Sequence, residues 1–473
     1  MQSHSVSISV MNSNIIENLY AQYLRSRCVT TDTRQITEGC IFFAFRGASF
    51  DGNAFAGEAL AKGAALCVID DERYRVDDRC VVVDDVLKTL QDLALYHRQH
   101  IEIPVVGITG TNGKTTTKEL VREVLSMRYR VHATTGNHNN HLGVPLTILS
   151  MPEDTEIMIV EMGANHPGEI EALCAIALPT CGLITNVGCA HLEGFGSFEG
   201  VVHTKTELYR HLAVMSGTIF VNADSERLME EAGKVCEVPA VPSPVPGYVP
   251  CYPIADFEAA EGSVNLVTYG CAEDAAVKGS LMSSNPYMRF YIEQDDLVYT
   301  IQSHLVGGYN FYNAMAAAAV GLYFDVEPFE VKEAIESYVP SNNRSQYKET
   351  DRNRLLLDCY NANPSSMRVA VDNFIKMDAP HKIVILGAMR ELGSVSQEEH
   401  RKLFAQVESG HFEKAIFVGE EFGFVGNNAL DNVVWMPDTD SLKLYIISHH
   451  FADRTILIKG SNSNHLWEIE ELL

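Results

Sequence analysis

The chain has 473 residues and is 46% hydrophobic, enough for about three domains, each with a core of its own. Its 36 Lys and Arg stand against 62 Asp and Glu, a formal charge of −26, which argues against bulk binding to nucleic-acid phosphates or anionic lipid. A small anionic substrate held by a few local cations and backbone N–H groups stays open.

The first twenty residues lack a basic start followed by a long apolar run, so no signal peptide is expected. The longest mostly apolar stretch, 314–324, is too short to span a bilayer. The 11 cysteines are scattered without a CxxC pair, which predicts reduced thiols and a cytoplasmic chain. Residues 1–100 carry short apolar runs (40–45, 65–69, 80–83) between polar turns, the pattern of a small α/β domain.

From residue 104 buried-strand patterns alternate with helices. Val105 to Thr109 reads as a strand, and 114–127 as a helix with Leu120, Val121, Val124 and Leu125 on one face. Further strands are expected at 157–161, 182–185 and 218–221, which together predict a mostly parallel sheet covered on both faces. The proline cluster at 238–253 blocks both helix and central strand and reads as an irregular excursion. Strands at 355–358, 383–386, 415–418 and 456–459, each ending in a polar or glycine turn, predict a second, Rossmann-like α/β domain from about 341. The expected division is 1–100, 101–340 and 341–473, an α/β protein of three domains.

The strongest motif is Gly107-Ile108-Thr109-Gly110-Thr111-Asn112-Gly113-Lys114-Thr115-Thr116, lying between a strand and a helix. Gly110 and Gly113 let backbone N–H groups curl around an oxyanion, Lys114 offers a point charge, and Thr115 offers a hydroxyl to Mg²⁺. The strict pattern has glycine where this chain has Ile108, so the loop is a variant. Glu161, at a strand's carboxyl end, is a candidate Mg²⁺ ligand, with a solvated or paired carboxylate as the alternative. His191 alone is compatible with a hydrogen-bonded structural role or with a ligand.

These strings, with Glu161-Met162-Gly163-Ala164, Thr185-Asn186-Val187-Gly188, Ala190-His191-Leu192-Glu193, Lys205, Asn310, Asn313 and Asn343-Arg344-Ser345, resemble the Mur ligases of peptidoglycan synthesis. Three further strings, 135–145, 162–170 and 360–367, are closest to the branch of that family that joins D-alanyl-D-alanine to UDP-N-acetylmuramoyl-tripeptide. The resemblance implies an ATP-dependent peptide ligase, working through an acyl phosphate with two Mg²⁺ ions, as a cytoplasmic monomer without nucleic-acid or membrane partners. The alternatives are another ligase of the same superfamily, such as a different Mur ligase or a folylpolyglutamate synthetase, or a non-catalytic nucleotide-binding paralogue.

The resemblance also implies roles. Lys114, Lys205, His191 and Asn137 would be catalytic, and Thr115, Glu161, His191 and a carbamylated Lys205 would hold metal. Gly110, Thr111, Asn112, Gly113, Lys114, Thr115, Thr116, Asn310, Asn313, Arg344 and Asp358 would bind ATP. Asn310 and Asn313 suit an adenine edge by their amides, with helix capping as the alternative. Thr33, Arg34, Arg46, Gly47, Asp51 and Asn53 would bind the UDP portion, with Arg46 paired to the diphosphate. Tyr360, Asn361 and Asn363 are acceptor candidates by position, with packing or turn roles as the alternative. Ala388 and Asn462 depart from the Asp and Arg common at those places in the family.

Overall fold

The computed structural model describes residues 2–47, 49–190, 192–236, 264–294, 296–341, 343–427 and 430–473. The proline cluster at 238–253 lies outside the described residues.

The first apolar runs form β1 (Val29–Thr30), β2 (Ile41–Phe43), β3 (Leu66–Ile69) and β4 (Cys80–Val82), a parallel sheet in that order. Buried Ile41, Phe43 and Val68 face the helices Gln2–Ser26 and Val86–Arg98, while Phe42, Cys67 and Ile69 face the helix Ala56–Ala61. Tyr23 Oη donates to the Leu149 carbonyl at 3.1 Å and ties this unit to the next. One expectation is corrected here. Cys28 and Cys40 are joined as a disulfide, because the parallel pairing Val29↔Ile41 sets the residues just before it side by side, with their Cα atoms 4.6 Å apart.

The central sheet has nine strands: β5 (Val105–Thr109), β6 (Val131–Ala133), β7 (Ile157–Glu161), β8 (Cys181–Ile184), β9 (Thr218–Asn222), β10 (Asn265–Gly270), β11 (Val277–Ser284), β12 (Tyr287–Gln294) and β13 (Leu297–Val306). Their order is β13-β12-β11-β10-β9-β8-β5-β7-β6, parallel from β6 through β11 and antiparallel across β11, β12 and β13. The strands read as continuous apolar runs are buried along most of their length, as a sheet covered on both faces requires. The antiparallel extension was not anticipated. Its signal is alternation rather than a run: Met288, Phe290 and Ile292 turn inward, as do Ile301 and Leu305.

The phosphate-loop helix Lys114–Leu125 packs against the helix Phe311–Tyr323. The run Ala316–Ala319 in the second helix is fully buried, so its apolar character serves a close helix–helix approach. Among the described residues no helix is long and apolar enough to cross a membrane.

The last sheet comprises β14 (Gln346–Glu349), β15 (Arg354–Asp358), β16 (Lys382–Gly387), β17 (Lys414–Val418), β18 (Val433–Met436) and β19 (Thr455–Lys459), ordered β14-β15-β19-β16-β17-β18. Only β14 runs antiparallel to its neighbour.

The helix contact yields a stability prediction. A Cβ at Gly321 would lie 2.3 Å from Val124 Cγ1 and 3.3 Å from Val331 Cγ2. Overpacking of this kind costs about 1–3 kcal/mol, against about 1 kcal/mol gained from alanine's helix propensity. Gly321→Ala is therefore expected to lower the urea midpoint, and Val124→Ala in the same chain to recover part of the loss.

Candidate active site

β5 lies between β7 and β8, with Ile108 paired to Glu161 and Thr109 to Ile184, so three strand ends converge on the glycine loop. In an open α/β sheet that crevice is where ligands bind. The loop is held by hydrogen bonds from the end of β8. Thr111 N donates to Asn186 O (2.9 Å) and Asn112 N to Asn186 Oδ1 (3.0 Å). Thr185 Oγ1 and Asn186 Nδ2 both donate to Asn112 O, at 2.6 and 2.9 Å. Glycine is needed at two positions. Gly110 has φ +141° and Gly113 φ +80°, and a Cβ would meet Thr185 Oγ1 at 2.0 Å or Asn313 Oδ1 at 2.5 Å respectively.

Lys114 Nζ donates to the carbonyls of Gly110 (2.7 Å) and Thr111 (3.0 Å). Desolvation pulls its ammonium below the ordinary lysine value, partly opposed by Glu161. Glu161 is 2% exposed. Its Oε1 accepts from Thr115 Oγ1 (3.2 Å) and Asn139 Nδ2 (2.9 Å), while the buried Oε2 has no partner among the described residues. Asn139 is a Glu161 contact that sequence reasoning passed over, although it stands in the same string as Asn137, and both line the cavity.

Lys205, at the end of the helix Phe198–Lys205, is buried, with Nζ 3.4 Å from the Ala164 carbonyl and 5.3 Å from the Phe195 ring centroid. No described carboxylate lies within ion-pair distance of it. Burial, and then the Lys114 charge, pull its pKa down to about 7. His191 lies outside the described residues.

The last domain closes the other side. Arg344 stacks its guanidinium 3.6 Å from the Tyr360 ring centroid, and its buried Nε has no hydrogen-bond partner among the described residues. Asp358, expected to bind ATP, forms an ion pair with buried Lys459 at 2.5 Å, and Lys459 also reaches the Asn361 carbonyl. Asn363 caps the helix Pro364–Lys376 by accepting from Ser366 N, and its Nδ2 donates to Asn112 Oδ1 at 2.7 Å. The amides of Asn310 and Asn313 are largely spent inside the protein: Asn310 Nδ2 donates to Val306 O, Asn313 Nδ2 to Asn310 Oδ1, and Thr117 Oγ1 to Asn313 Oδ1. They brace the helix Phe311–Tyr323 against the loop while lining the same cavity.

That cavity, of about 590 Å³, is lined by the loop residues 110–116, Asn137, Glu161, Lys205, Asn310, Asn313, Arg344, Asp358, Tyr360 and Asn361. Thr33, Arg34, Arg46, Gly47, Asp51 and Asn53 are not among its lining residues. Arg34 pairs with Asp32 at 2.7 Å, and Arg46 is already surrounded by Asp51 (3.8 Å), Asp70 (2.9 Å) and Asp71 (3.4 Å). An incoming diphosphate would have to displace these carboxylates. Asn53 is fully buried and bonded to Asp51 and Asp70, a bracing role. Ala388 is buried beside Gly419, and Arg390 reaches Ser463 (3.3 Å) and Glu421, bridging the two turns that carry the family departures.

Comparison with known proteins agrees with this arrangement. Three family profiles match in order: "Mur ligase family, catalytic domain" over residues 25–99, "Mur ligase middle domain" over 108–240, and "Mur ligase, glutamate ligase domain" over 343–462. The chain is 31% identical over 454 residues to a Bacillus subtilis protein named UDP-N-acetylmuramoyl-tripeptide–D-alanyl-D-alanine ligase, covering 93% of this chain and 92% of that one. An Escherichia coli protein of the same name is 29% identical, covering 99% and 98%. Among solved structures, MurF ligase from Thermotoga maritima in complex with ADP superposes with a TM-score of 0.79 at 25% identity, covering 94% of this chain and 97% of that one.

Buried Lys205 makes stability depend on pH. Its ammonium titrates near 7 when folded and near 10.5 otherwise, so the unfolded chain binds more protons between those values and stability rises with pH across that window. The penalty is fully present below pH 7, at most about 5 kcal/mol. Lys205→Met is expected to be more stable than the parent near pH 6.5 and to flatten the rise up to pH 9.5. Urea titrations in carbon-dioxide-free buffer read this directly.

Proposed function

The chain belongs to the Mur ligase family, and from that premise we propose that it joins D-alanyl-D-alanine to UDP-N-acetylmuramoyl-tripeptide at the expense of ATP, in the cytoplasmic assembly of peptidoglycan precursors. In this reading residues 1–100 hold the UDP portion, 101–340 the ATP and 341–473 the dipeptide. One chain supplies every residue invoked, so a monomer suffices.

The observation that carries the reading is the charge left open in the cavity. Lys114, Lys205 and Arg344 line it without an ion-pair partner among the described residues, and Glu161 Oε2 is buried without a donor. A triphosphate with its divalent cation supplies both complements. The donor set fits Mg²⁺: a hydroxyl at Thr115 and a carboxylate whose second oxygen is unused, both oxygen ligands of the kind a hard cation takes. When bound, Mg²⁺ neutralises phosphate oxygens and lowers the repulsion an incoming carboxylate meets.

The chain's own residues then have separable tasks. Lys114 exchanges its bonds to the loop carbonyls for phosphate oxygens and balances charge as it shifts toward the leaving diphosphate. Loop N–H groups at the start of the helix Lys114–Leu125 orient the same oxygens. The tripeptide carboxylate attacks the γ-phosphorus, giving an acyl phosphate and ADP. The dipeptide amine adds to the acyl carbon, loses a proton and expels phosphate. Asn137, exposed at the cavity wall, faces the γ-phosphate region in this reading, and Arg344 reaches phosphate from the last domain.

Lys205 is proposed to be carbamylated. A neutral amine adds to CO₂ and releases one proton, which replaces a buried cation by an anionic oxygen pair that would serve as a ligand to a second Mg²⁺, the role the resemblance also gives His191. Burial of Lys205 near Lys114, with no carboxylate within ion-pair distance among the described residues, supports this.

Phosphate release tests the whole reading. It should require the tripeptide nucleotide and D-alanyl-D-alanine together, and Lys114→Ala should lower kcat by about 10³-fold or more. Release that ignores the dipeptide contradicts it. Asn139→Ala, which frees the Glu161 carboxylate to rotate, should raise the Mg²⁺ concentration for half-maximal rate about 10–100-fold.

A further inference from the structure

We propose that Asn112, Asn363 and Ser365 form a latch through which the phosphate loop positions the acceptor domain. Asn112 sits at the tip of the loop, yet its side chain is spent on the last domain. Its Nδ2 donates to Ser365 Oγ at 2.9 Å, and its Oδ1 accepts from Asn363 Nδ2 at 2.7 Å. Ser365 Oγ in turn donates to Asn363 Oδ1 at 2.8 Å, closing a ring of three side chains across the domain junction.

The orientation of this ring is fixed from both ends. Asn363 Oδ1 must accept, because it caps the helix Pro364–Lys376 through Ser366 N at 2.9 Å. Its Nδ2 therefore faces Asn112, whose amide can satisfy both neighbours in only one orientation. On the other side the Asn112 main chain is held by Asn186 and Thr185 at the end of β8. The bonds run without a gap from β8, through the loop, to the first turn of a helix in the last domain.

Position gives the latch its consequence. Tyr360 and Asn361, which line the cavity, lie just before Asn363, and Tyr360 carries the Arg344 stack. Any shift of Asn363 away from the loop moves these groups away from the loop residues that line the same cavity. The close approach also leaves little room at Gly188, where a Cβ would lie 3.0 Å from Ser365 Oγ. All three members are neutral and at least partly buried, so the latch neither competes for the cation nor weakens with salt. These are positioning residues: they touch the loop and each other rather than the reacting atoms. The effect on ligation rests on the function proposed above, whereas the latch itself does not.

The test is a double-mutant cycle. Asn363→Ser keeps an N-cap oxygen but is too short to reach Asn112, and Asn112→Ala removes both arms from the other side. Each should lower kcat/KM for the dipeptide about tenfold, and the double variant should lose no more than either alone. The Kd of Asn363→Ser for Mg-ATP should stay within about twofold of the parent, because the loop keeps its β8 bonds. Full kcat/KM in Asn363→Ser, or losses that multiply in the double variant, would overturn the proposal. Hydrogen exchange of amides 360–366 in the substrate-free protein separates the latch from the ligase reading. Faster exchange in Asn112→Ala than in the parent supports the latch even if no ligation is found, and unchanged exchange overturns it.

Discussion

Uncompensated charge in a shielded cavity is the constraint around which this protein is arranged. In a chain with a formal charge of −26, Lys114, Lys205 and Arg344 meet at one cavity with no ion-pair partner among the described residues. Holding like charges out of water is unfavourable, and the lowered pKa of Lys205 shows the cost. The loop therefore cannot depend on ion pairs for its shape. It is held by neutral groups, Thr185, Asn186 and the Asn310–Asn313 pair, and by Lys114 through two loop carbonyls whose bonds it can exchange for an anion.

The topology explains how one cavity gathers groups so distant in sequence. Parallel strands bring their carboxyl ends to one edge, and the placement of β5 between β7 and β8 puts Glu161 and Thr185 on either side of the loop. The last sheet contributes the ends of β15 and β19, Asp358 and Lys459, from across the junction. The site is thus where the strand ends of two sheets face each other, and neither domain holds it alone.

Much of this was legible in the sequence. The glycine loop, the strand before it and Glu161 at the end of β7 all follow from runs and spacing, because a fully buried parallel strand must be apolar throughout. The antiparallel strands β11 to β13 were less visible, since half of their residues face outward. The disulfide pairing of Cys28 with Cys40 depends on strand register, which composition does not carry. Partners were the hardest to read. Asp358 looks free for ATP until Lys459, about a hundred residues on, is placed against it, and Asn363 looks like an acceptor ligand until Asn112 is found at its amide. Amide side chains bond in any direction within reach, so only the fold decides which group they meet.

The central claim is that the cavity brings a carboxylate onto a triphosphate. Oxygen-18 placed in the reacting carboxylate of the tripeptide nucleotide, followed by mass analysis of the phosphate released on ligation, tests this most directly. The account predicts one labelled oxygen transferred to each phosphate. Phosphate free of label, or label recovered in adenosine monophosphate, would contradict it.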